Sequence, residues 1–168
     1  GHPAIGADRA SMRRTGAHVS TAGGLVKAIE RTRGIGGNCL QIFAGSPRSW
    51  VRKLYSLEES GSYLDAAKKA DFSPVFIHAL YLVNLATDNP DLLQKSVDSL
   101  IFDLKNGRAI NSAGVIVHLG SHQGRGFAVV ADQVAGVINQ IISATEEIPF
   151  VIENSAGQKG KIGSLPEI

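Results

Sequence analysis

Three short apolar runs constrain the fold more strongly than any other feature of this sequence. Each holds three consecutive β-branched or aromatic residues and is bounded by Pro or Gly; the runs occupy 74–78, 114–118 and 149–153. Runs of this kind predict short strands that are buried on both faces, as in parallel sheets. Each run also ends in a residue type that binds divalent metals. A parallel sheet would therefore place His78, His118 and Glu153 together at one rim.

Strand and helix patterns alternate along the rest of the chain. Further strands are predicted from Arg14 to Val19 and from Cys39 to Phe43. Ser56 lies three residues before a Glu, the spacing of a capping box, and Pro90 suits the first turn of a long helix. Alternating strands and helices predict a parallel sheet with right-handed crossovers. We therefore predict an α/β fold of the TIM-barrel type, truncated to about five parallel strands and four helices, because a closed barrel needs about 250 residues.

Composition narrows the class of protein but not its activity. The 168 residues are 43% hydrophobic and 19% charged, which is typical of one globular domain. No apolar stretch approaches the roughly 20 residues that cross a bilayer, so no membrane partner is expected. The single cysteine, Cys39, cannot form an internal disulfide, and we expect a reducing, cytoplasmic location. Residues 1–11 precede the only methionine and are expected to be a leader or non-native segment, with the partial barrel domain at 12–168.

The three strand-end residues form a plausible ligand set for a metal ion. Two imidazoles and one carboxylate recur as ligands of zinc, manganese and non-haem iron. A single His beside an apolar run is more often structural, but three such residues at equivalent strand ends favour a site. Glu153 is the hardest to explain structurally, because an ionised carboxylate at a buried strand end is costly without a cation or donors.

Five ordered motifs resemble a known family. The motifs are GAHVSTAGG at 16–24, QIF at 41–43 with PRSW at 47–50, His78 with YLVNL at 81–85, HLGSH at 118–122, and IENSAGQ at 152–158. They are similar to the successive motifs of endonuclease IV, a zinc-dependent apurinic/apyrimidinic endonuclease family built on a TIM barrel. The resemblance covers about residues 12–165.

The resemblance implies specific metal roles and a reaction. His78 and His118 would bind one zinc, and Glu153 would bridge zinc ions and act as a catalytic residue. The family holds up to three zinc ions and hydrolyses the phosphodiester 5′ to an abasic site in double-stranded DNA, an activity of DNA repair; manganese is an alternative metal. The family's remaining ligands come from strands six to eight, so we expect about one site here, and impaired or absent activity in this chain alone.

The resemblance also assigns residues that contact DNA. Arg48, Tyr81 and Leu82 would wedge into the base stack at the lesion, as planar and apolar side chains do in kinked DNA. From the sequence alone, Tyr81 would be ordinary loop packing, and Arg48, Arg52 and Lys53 would form a solvated basic face. His18 is expected to orient a ligand or a water molecule. His122 is expected either to approach phosphate or to hydrogen-bond its own loop.

Two other functions remain open at this point. A sugar isomerase or epimerase of the related barrel type would use similar ligands, but a small sugar needs no wedge, so Arg48 and the pair Tyr81 and Leu82 favour the nuclease. The chain could also be a non-catalytic fragment that binds one metal ion, or DNA weakly. An open barrel exposes two strand edges and an apolar inner face, so we expect self-association through that side.

Overall fold

The computed structural model describes residues 13–145, 148–155 and 158–167; the expected leader at 1–11 lies outside these ranges. Five strands and four helices alternate as predicted, and a short 3₁₀ turn follows at Leu165–Glu167. The strands are β1 (Gly16–His18), β2 (Cys39–Ile42), β3 (Val75–His78), β4 (Gly114–Val117) and β5 (Phe150–Ile152). The helices are α1 (Leu25–Gly34), α2 (Leu57–Lys69), α3 (Pro90–Ala109) and α4 (Phe127–Ser143).

All five strands are parallel and lie in the order in which they occur in the chain, β1-β2-β3-β4-β5. His18 pairs with Gln41, His78 with Ile116, and Val117 with Ile152. The last residues of neighbouring strands therefore lie close to one another. Sequential order with helical crossovers is the arrangement of a (β/α) barrel, whereas doubly wound sheets reverse their order. The predicted TIM-barrel type is confirmed, and every strand presents its carboxyl end at the same rim.

The helices cover only one face of the sheet. Leu40 and Ile42 of β2 are buried, as are Val75 and Ile77 of β3, while the residues between them in each strand are only half-buried. The prediction that the strands are buried on both faces is therefore wrong. The five described strands do not close a ring, and within the described residues the face opposite the helices is only partly covered.

Local sequence determines where two of the helices begin. Ser56 accepts a hydrogen bond from the Glu59 backbone N–H (3.1 Å), and the Glu59 carboxylate accepts one from the Ser56 N–H (3.2 Å), the predicted capping box of α2. Asn89 caps α3 through the N–H of Leu92, with Pro90 in the first turn. Among the described residues, no helix has the length and apolar character to cross a membrane.

Candidate metal centre at the carboxyl rim

The ends of β3, β4 and β5 bring three metal-binding side chains together. His78 Nε2 lies 2.9 Å from Glu153 Oε2, and His118 Nε2 lies 3.4 Å from the same oxygen. One ligand atom from each residue fits within 4.8 Å of the other two. The backbone holds these positions because Glu153 N–H donates to Val117 O (2.9 Å), which continues the β4–β5 ladder past its last strand residue.

The hydrogen bonds of His78 show that its contact with Glu153 requires a proton or a metal ion. His78 Nδ1 lies 2.7 Å from the backbone oxygen of Ala79, which can only accept a hydrogen bond, so Nδ1 carries a proton. In the neutral ring, Nε2 then presents a lone pair to the Glu153 carboxylate, and two acceptors face each other at 2.9 Å. A proton or a metal ion must lie between them. A backbone oxygen that fixes the tautomer of a His ligand is a common feature of metal sites.

The three residues differ in exposure in a way that suits a reaction centre. The His78 side chain is 7% exposed, whereas those of His118 and Glu153 are 48% and 44% exposed. One candidate ligand is therefore buried, and the other two border solvent, where a substrate can approach. Nitrogen and carboxylate ligands of this kind suit zinc, and they also suit manganese or iron.

His18 lies near His78 without joining the group of three. The two rings are 6.2 Å apart, and Phe43 packs beside this pair, 4.3 Å from the His18 ring and 5.6 Å from the His78 ring. His18 Nδ1 accepts a hydrogen bond from Gln41 Nε2 (2.9 Å). Burial, and secondarily the proximity of His78, lowers the pKa of His18. His18 therefore forms part of the wall behind His78.

His122 occupies a different place from the strand-end ligands. Its Nδ1 accepts hydrogen bonds from the backbone N–H groups of Gly124 (3.2 Å) and Gly126 (3.1 Å). Both glycines have positive φ, which glycine adopts without strain. Of the two roles expected for His122, the geometry shows the one in which it hydrogen-bonds its own loop, just before α4.

The residues expected to contact DNA lie on two loops that are joined at this rim. Tyr81 N–H donates to the backbone oxygen of Pro47 (3.1 Å), which ties the loop after β3 to the loop after β2. Tyr81 is 62% exposed and Leu82 is 40% exposed, and Arg48 is also exposed. The Tyr81 ring lies 5.2 Å from Phe43 and 6.3 Å from His78. All three expected DNA contacts therefore lie on loops at the ligand end of the sheet.

A buried ion pair beneath the loop after β2 was not anticipated from the sequence. Arg52 Nε donates to Ser99 Oγ (3.0 Å) and lies 3.8 Å from Asp103 Oδ1, while Arg52 Nη1 donates to Ser46 O (3.3 Å). The Asp103 side chain is 1% exposed, and within the described residues neither of its oxygens accepts a hydrogen bond. Burial raises the pKa of Asp103 to about 7, and Arg52 offsets part of that increase. Arg52 therefore supports the loop from below and does not belong to the basic surface around Arg48.

Asn84 joins the loop after β3 to the loop after β4. Its Oδ1 accepts from the N–H groups of Ser121 (3.1 Å) and Ala86 (3.0 Å), and its Nδ2 donates to Ser121 O (3.1 Å). Gly120 lets the two loops approach, because a Cβ there would lie 2.2 Å from Asn84 Oδ1. The sequence offered a signal for this contact, since Asn84 and Gly120 both fall within the motifs quoted above.

A cavity of about 440 Å³ opens beside two of the candidate ligands, His118 and Glu153. His118 and Glu153 line it on one side, and Tyr81 lines it on the side of the loop after β3. Asn154, Ser155, Gln158 and Lys161, from the segment after β5, complete the polar part of its wall. The cavity is thus shared between the candidate ligands and a loop expected to contact DNA.

Fold and site together define a class: a parallel barrel-type sheet whose carboxyl rim carries two histidines and one glutamate able to hold a metal ion. Comparison with known proteins agrees with this barrel-type fold. The family model described as "Xylose isomerase-like TIM barrel" matches residues 25–168. The probable endonuclease 4 of Halothermothrix orenii is 40% identical over 152 residues, covering 90% of this chain and 55% of the relative. That of Natronomonas pharaonis is 35% identical over 156 residues, covering 93% and 56%.

The chain belongs to the xylose isomerase-like TIM barrel family, and its resemblance to endonuclease IV is confirmed. The crystal structure of endonuclease IV from Thermus thermophilus superposes with a TM-score of 0.74 at 34% identity, covering 90% of this chain and 55% of that one. A D-tagatose 3-epimerase-like protein gives a TM-score of 0.66 at 16% identity, covering 89% and 56%, which reflects a shared fold alone. The chain spans about half the length of the relatives it matches.

Proposed function

We propose that this protein is a metal-dependent DNA-repair nuclease of the endonuclease IV type, which hydrolyses the phosphodiester 5′ to an abasic site in duplex DNA. The observation that carries this proposal is the position of the candidate metal ligands. His78, His118 and Glu153 lie within bonding range of one ion, at the rim where the loops of Arg48 and Tyr81 meet. Identity of 34–40% to proteins named endonuclease 4 or IV supports the same activity.

We propose that the three strand-end residues bind the metal ion. His78 and His118 would hold zinc through Nε2, and the carbonyl of Ala79 would keep the His78 ring in the ligating tautomer. Glu153 would supply the negative charge that balances the ion and would bridge to a further ion. Zinc bound in such a site stabilises charge on a phosphate oxygen and activates water. Zinc is the proposed metal, and manganese is the alternative.

The proposed role of the two loops is to expose the abasic site. Tyr81 and Leu82 present partly exposed aromatic and aliphatic surface beside the ligands, and Arg48 adds positive charge. Side chains of this kind can enter a base stack and kink the duplex. An abasic nucleotide has lost its stacking and pairing, so the cost of opening the duplex is lowest at the lesion. A sugar epimerase would not need these loops, which is why the nuclease is favoured over that alternative.

The decisive experiment measures incision of a duplex that carries one abasic site, with zinc present. The 168-residue chain is compared with a chain extended at its carboxyl end by the remaining segment of Thermus thermophilus endonuclease IV. We expect cleavage 5′ to the abasic site by the extended chain and weaker or no cleavage by the shorter one. A duplex of the same sequence without the lesion is the control. If neither chain cleaves the lesion-containing duplex, the nuclease proposal fails.

A further inference from the structure

The segment after β5 is fixed against the loop after β4 by a short ribbon of hydrogen bonds. Gly160 O accepts from Ser121 Oγ (2.6 Å) and from the His122 N–H (3.0 Å), and Ile162 N–H donates to Gly120 O (3.0 Å). Ser121 and Lys161 form an antiparallel β-bridge within this ribbon. Ile162 itself is 2% exposed and anchors the ribbon in the core. The backbone of Lys161 is therefore held in place on both sides.

This anchoring places a positive charge at the edge of the candidate active site. Lys161 lines the cavity that His118, Glu153 and Tyr81 also line, and it is the only Lys or Arg among the described residues of that wall. Lys161 is exposed, and within the described part of the chain no ion pair joins its ammonium group to a carboxylate. Neither the sequence motifs nor the proposed ligand set gives this residue a role.

We propose that Lys161 binds a backbone phosphate of the DNA strand that lies across the cavity, next to the phosphate that is hydrolysed. The inference rests on the proposed function, since it concerns the same site. An ammonium group is a compact charge with three donors, which suits a phosphate oxygen whose orientation is not fixed. A phosphodiester at the metal ligands is followed along the strand by further phosphates, and Lys161 is the cation available on that wall.

Lys159 provides a matched control. It lies two residues away in the same loop, carries the same charge and is also exposed, but it does not line the cavity. Long-range attraction between the protein and DNA would respond similarly to the loss of either lysine. A direct phosphate contact would depend on Lys161 alone. Comparison of Lys161→Met with Lys159→Met therefore separates a bound phosphate from diffuse charge.

The test measures DNA affinity by fluorescence anisotropy across a range of salt concentrations. The zinc-loaded chain is titrated with a duplex that holds one tetrahydrofuran abasic analogue flanked by phosphorothioate linkages, and with the same duplex lacking the lesion. One lost phosphate contact lowers the slope of log K against log salt by about 0.9 and weakens binding about five- to tenfold near 0.1 M salt. We expect this for Lys161→Met, a normal slope for Lys161→Arg, and little change for Lys159→Met.

The outcomes distinguish this inference from the proposed function. If the chain prefers the abasic duplex but Lys161→Met keeps the normal slope, or Lys159→Met changes it equally, the phosphate contact is refuted and the function stands. If both duplexes bind equally and only Lys161→Met lowers the slope, the contact stands and the lesion specificity fails.

A second measurement covers the case in which neither duplex binds. Lysines labelled by ¹³C reductive methylation are titrated with inorganic phosphate, and the Lys161 signal is assigned by its loss in Lys161→Arg. A phosphate-dependent shift of the Lys161 signal, larger than that of Lys159, would retain the phosphate site. Absence of that shift together with absence of DNA binding would overturn it.

Discussion

At the scale of single residues, the contact between His78 and Glu153 has the clearest chemical consequence. Their Nε2 and Oε2 atoms lie 2.9 Å apart, with the proton of His78 committed to Ala79 O on the other side of the ring. A proton on Nε2, or a metal ion bound to both atoms, is then needed to make this contact favourable. We therefore expect the proposed metal binding to be the process most sensitive to changes at these positions.

We expect Glu153→Gln to weaken zinc binding by at least about tenfold, because it removes the one charged ligand and even outer residues of a metal site change affinity about 10–100-fold. Isothermal titration calorimetry of the metal-free chain with zinc measures the effect without relying on activity. Glu30→Gln, at an exposed position paired with Lys27, is the control and should bind zinc normally. Unchanged zinc affinity in Glu153→Gln would exclude Glu153 as a ligand.

A second residue-scale prediction concerns Leu82. Because Leu82 is 40% exposed beside the ligands, we expect Leu82→Ala to lower the preference for an abasic duplex over an intact one several-fold, while leaving zinc affinity unchanged. Leu57→Ala, at a 94% exposed position at the start of α2, removes the same apolar volume away from the rim. Competition binding with both duplexes measures the preference. An equal effect of the two substitutions would argue against a wedge.

Much of the site could be anticipated from residue type and strand position. His78, His118 and Glu153 follow apolar runs, and parallel strands bring their carboxyl ends together whatever the loops do. Arg52 and Asp103 could not be found in this way, since their contact joins a loop to the middle of a helix. The local sequence pattern does not reveal that Arg52 and Asp103 lie close together in the fold. Arg52 therefore looked like part of an exposed basic segment, although its side chain is only 5% exposed.

At the scale of secondary-structure elements, α3 supports the loop that carries Arg48. Ser99 and Asp103, one turn apart on α3, both contact Arg52, and Asn106, also on α3, accepts a hydrogen bond from the Tyr55 N–H (2.8 Å). The long helix therefore fixes the irregular stretch between β2 and α2 at several points. The strands and helices could be predicted because each is encoded by the pattern of neighbouring residues. The packing of the stretch between β2 and α2 on α3 could not be predicted in this way.

The buried carboxylate of Asp103 makes the stability of this contact depend on pH. Burial raises the pKa of Asp103 to about 7, well above the value of an exposed Asp. Between about pH 4 and 7 the folded state therefore keeps a proton on Asp103 that the unfolded state has already lost. The free energy of unfolding falls as pH rises through that range. Arg52 opposes the shift, and burial, with a smaller contribution from the charge of Asp103, raises the pKa of Tyr55.

We expect the free energy of unfolding of the native chain to fall between about pH 4 and 7, relative to that of Asp103→Asn, by at least about 1.4 kcal/mol, the equivalent of one pKa unit. Asp103→Asn removes the titrating group but keeps its shape. Urea unfolding at several pH values measures both chains, with Asp65→Asn at an exposed site of α2 as the control. Parallel pH profiles for the native chain and Asp103→Asn would show that Asp103 does not titrate in this range.

At the scale of the whole molecule, the open face of the sheet is the feature expected of a partial barrel, although the apolar runs taken alone suggested burial on both faces. Phe76 and Ile116 on that face are only half-buried, although their neighbours along each strand are enclosed by helices. The apolar runs suggested burial on both faces because the pattern of a barrel strand is the same whether or not the ring closes. The number of strands, and not residue type, decides how much of the inner face is covered.

We expect the chain to self-associate through this open side, because unpaired edges and apolar surface favour contact with a second copy. Sedimentation velocity over a range of concentrations should show a species larger than the monomer. Phe76→Ser should reduce association, whereas Val129→Ser, on the outer surface of α4 at 68% exposure, should not. A native chain that remains monomeric at all concentrations would contradict the expectation.

The consecutive order of the strands also bears on when the metal centre forms during synthesis. Each strand pairs with the one made immediately before it, so a growing chain can extend the sheet at one edge without waiting for a distant segment. Pairing between neighbours in sequence has a low entropic cost and is fast compared with long-range closure. The donors at 78, 118 and 153 are gathered as soon as β5 docks on β4. An ion bound as proposed would link the ends of the last three strands and so secure the newest edge of the sheet.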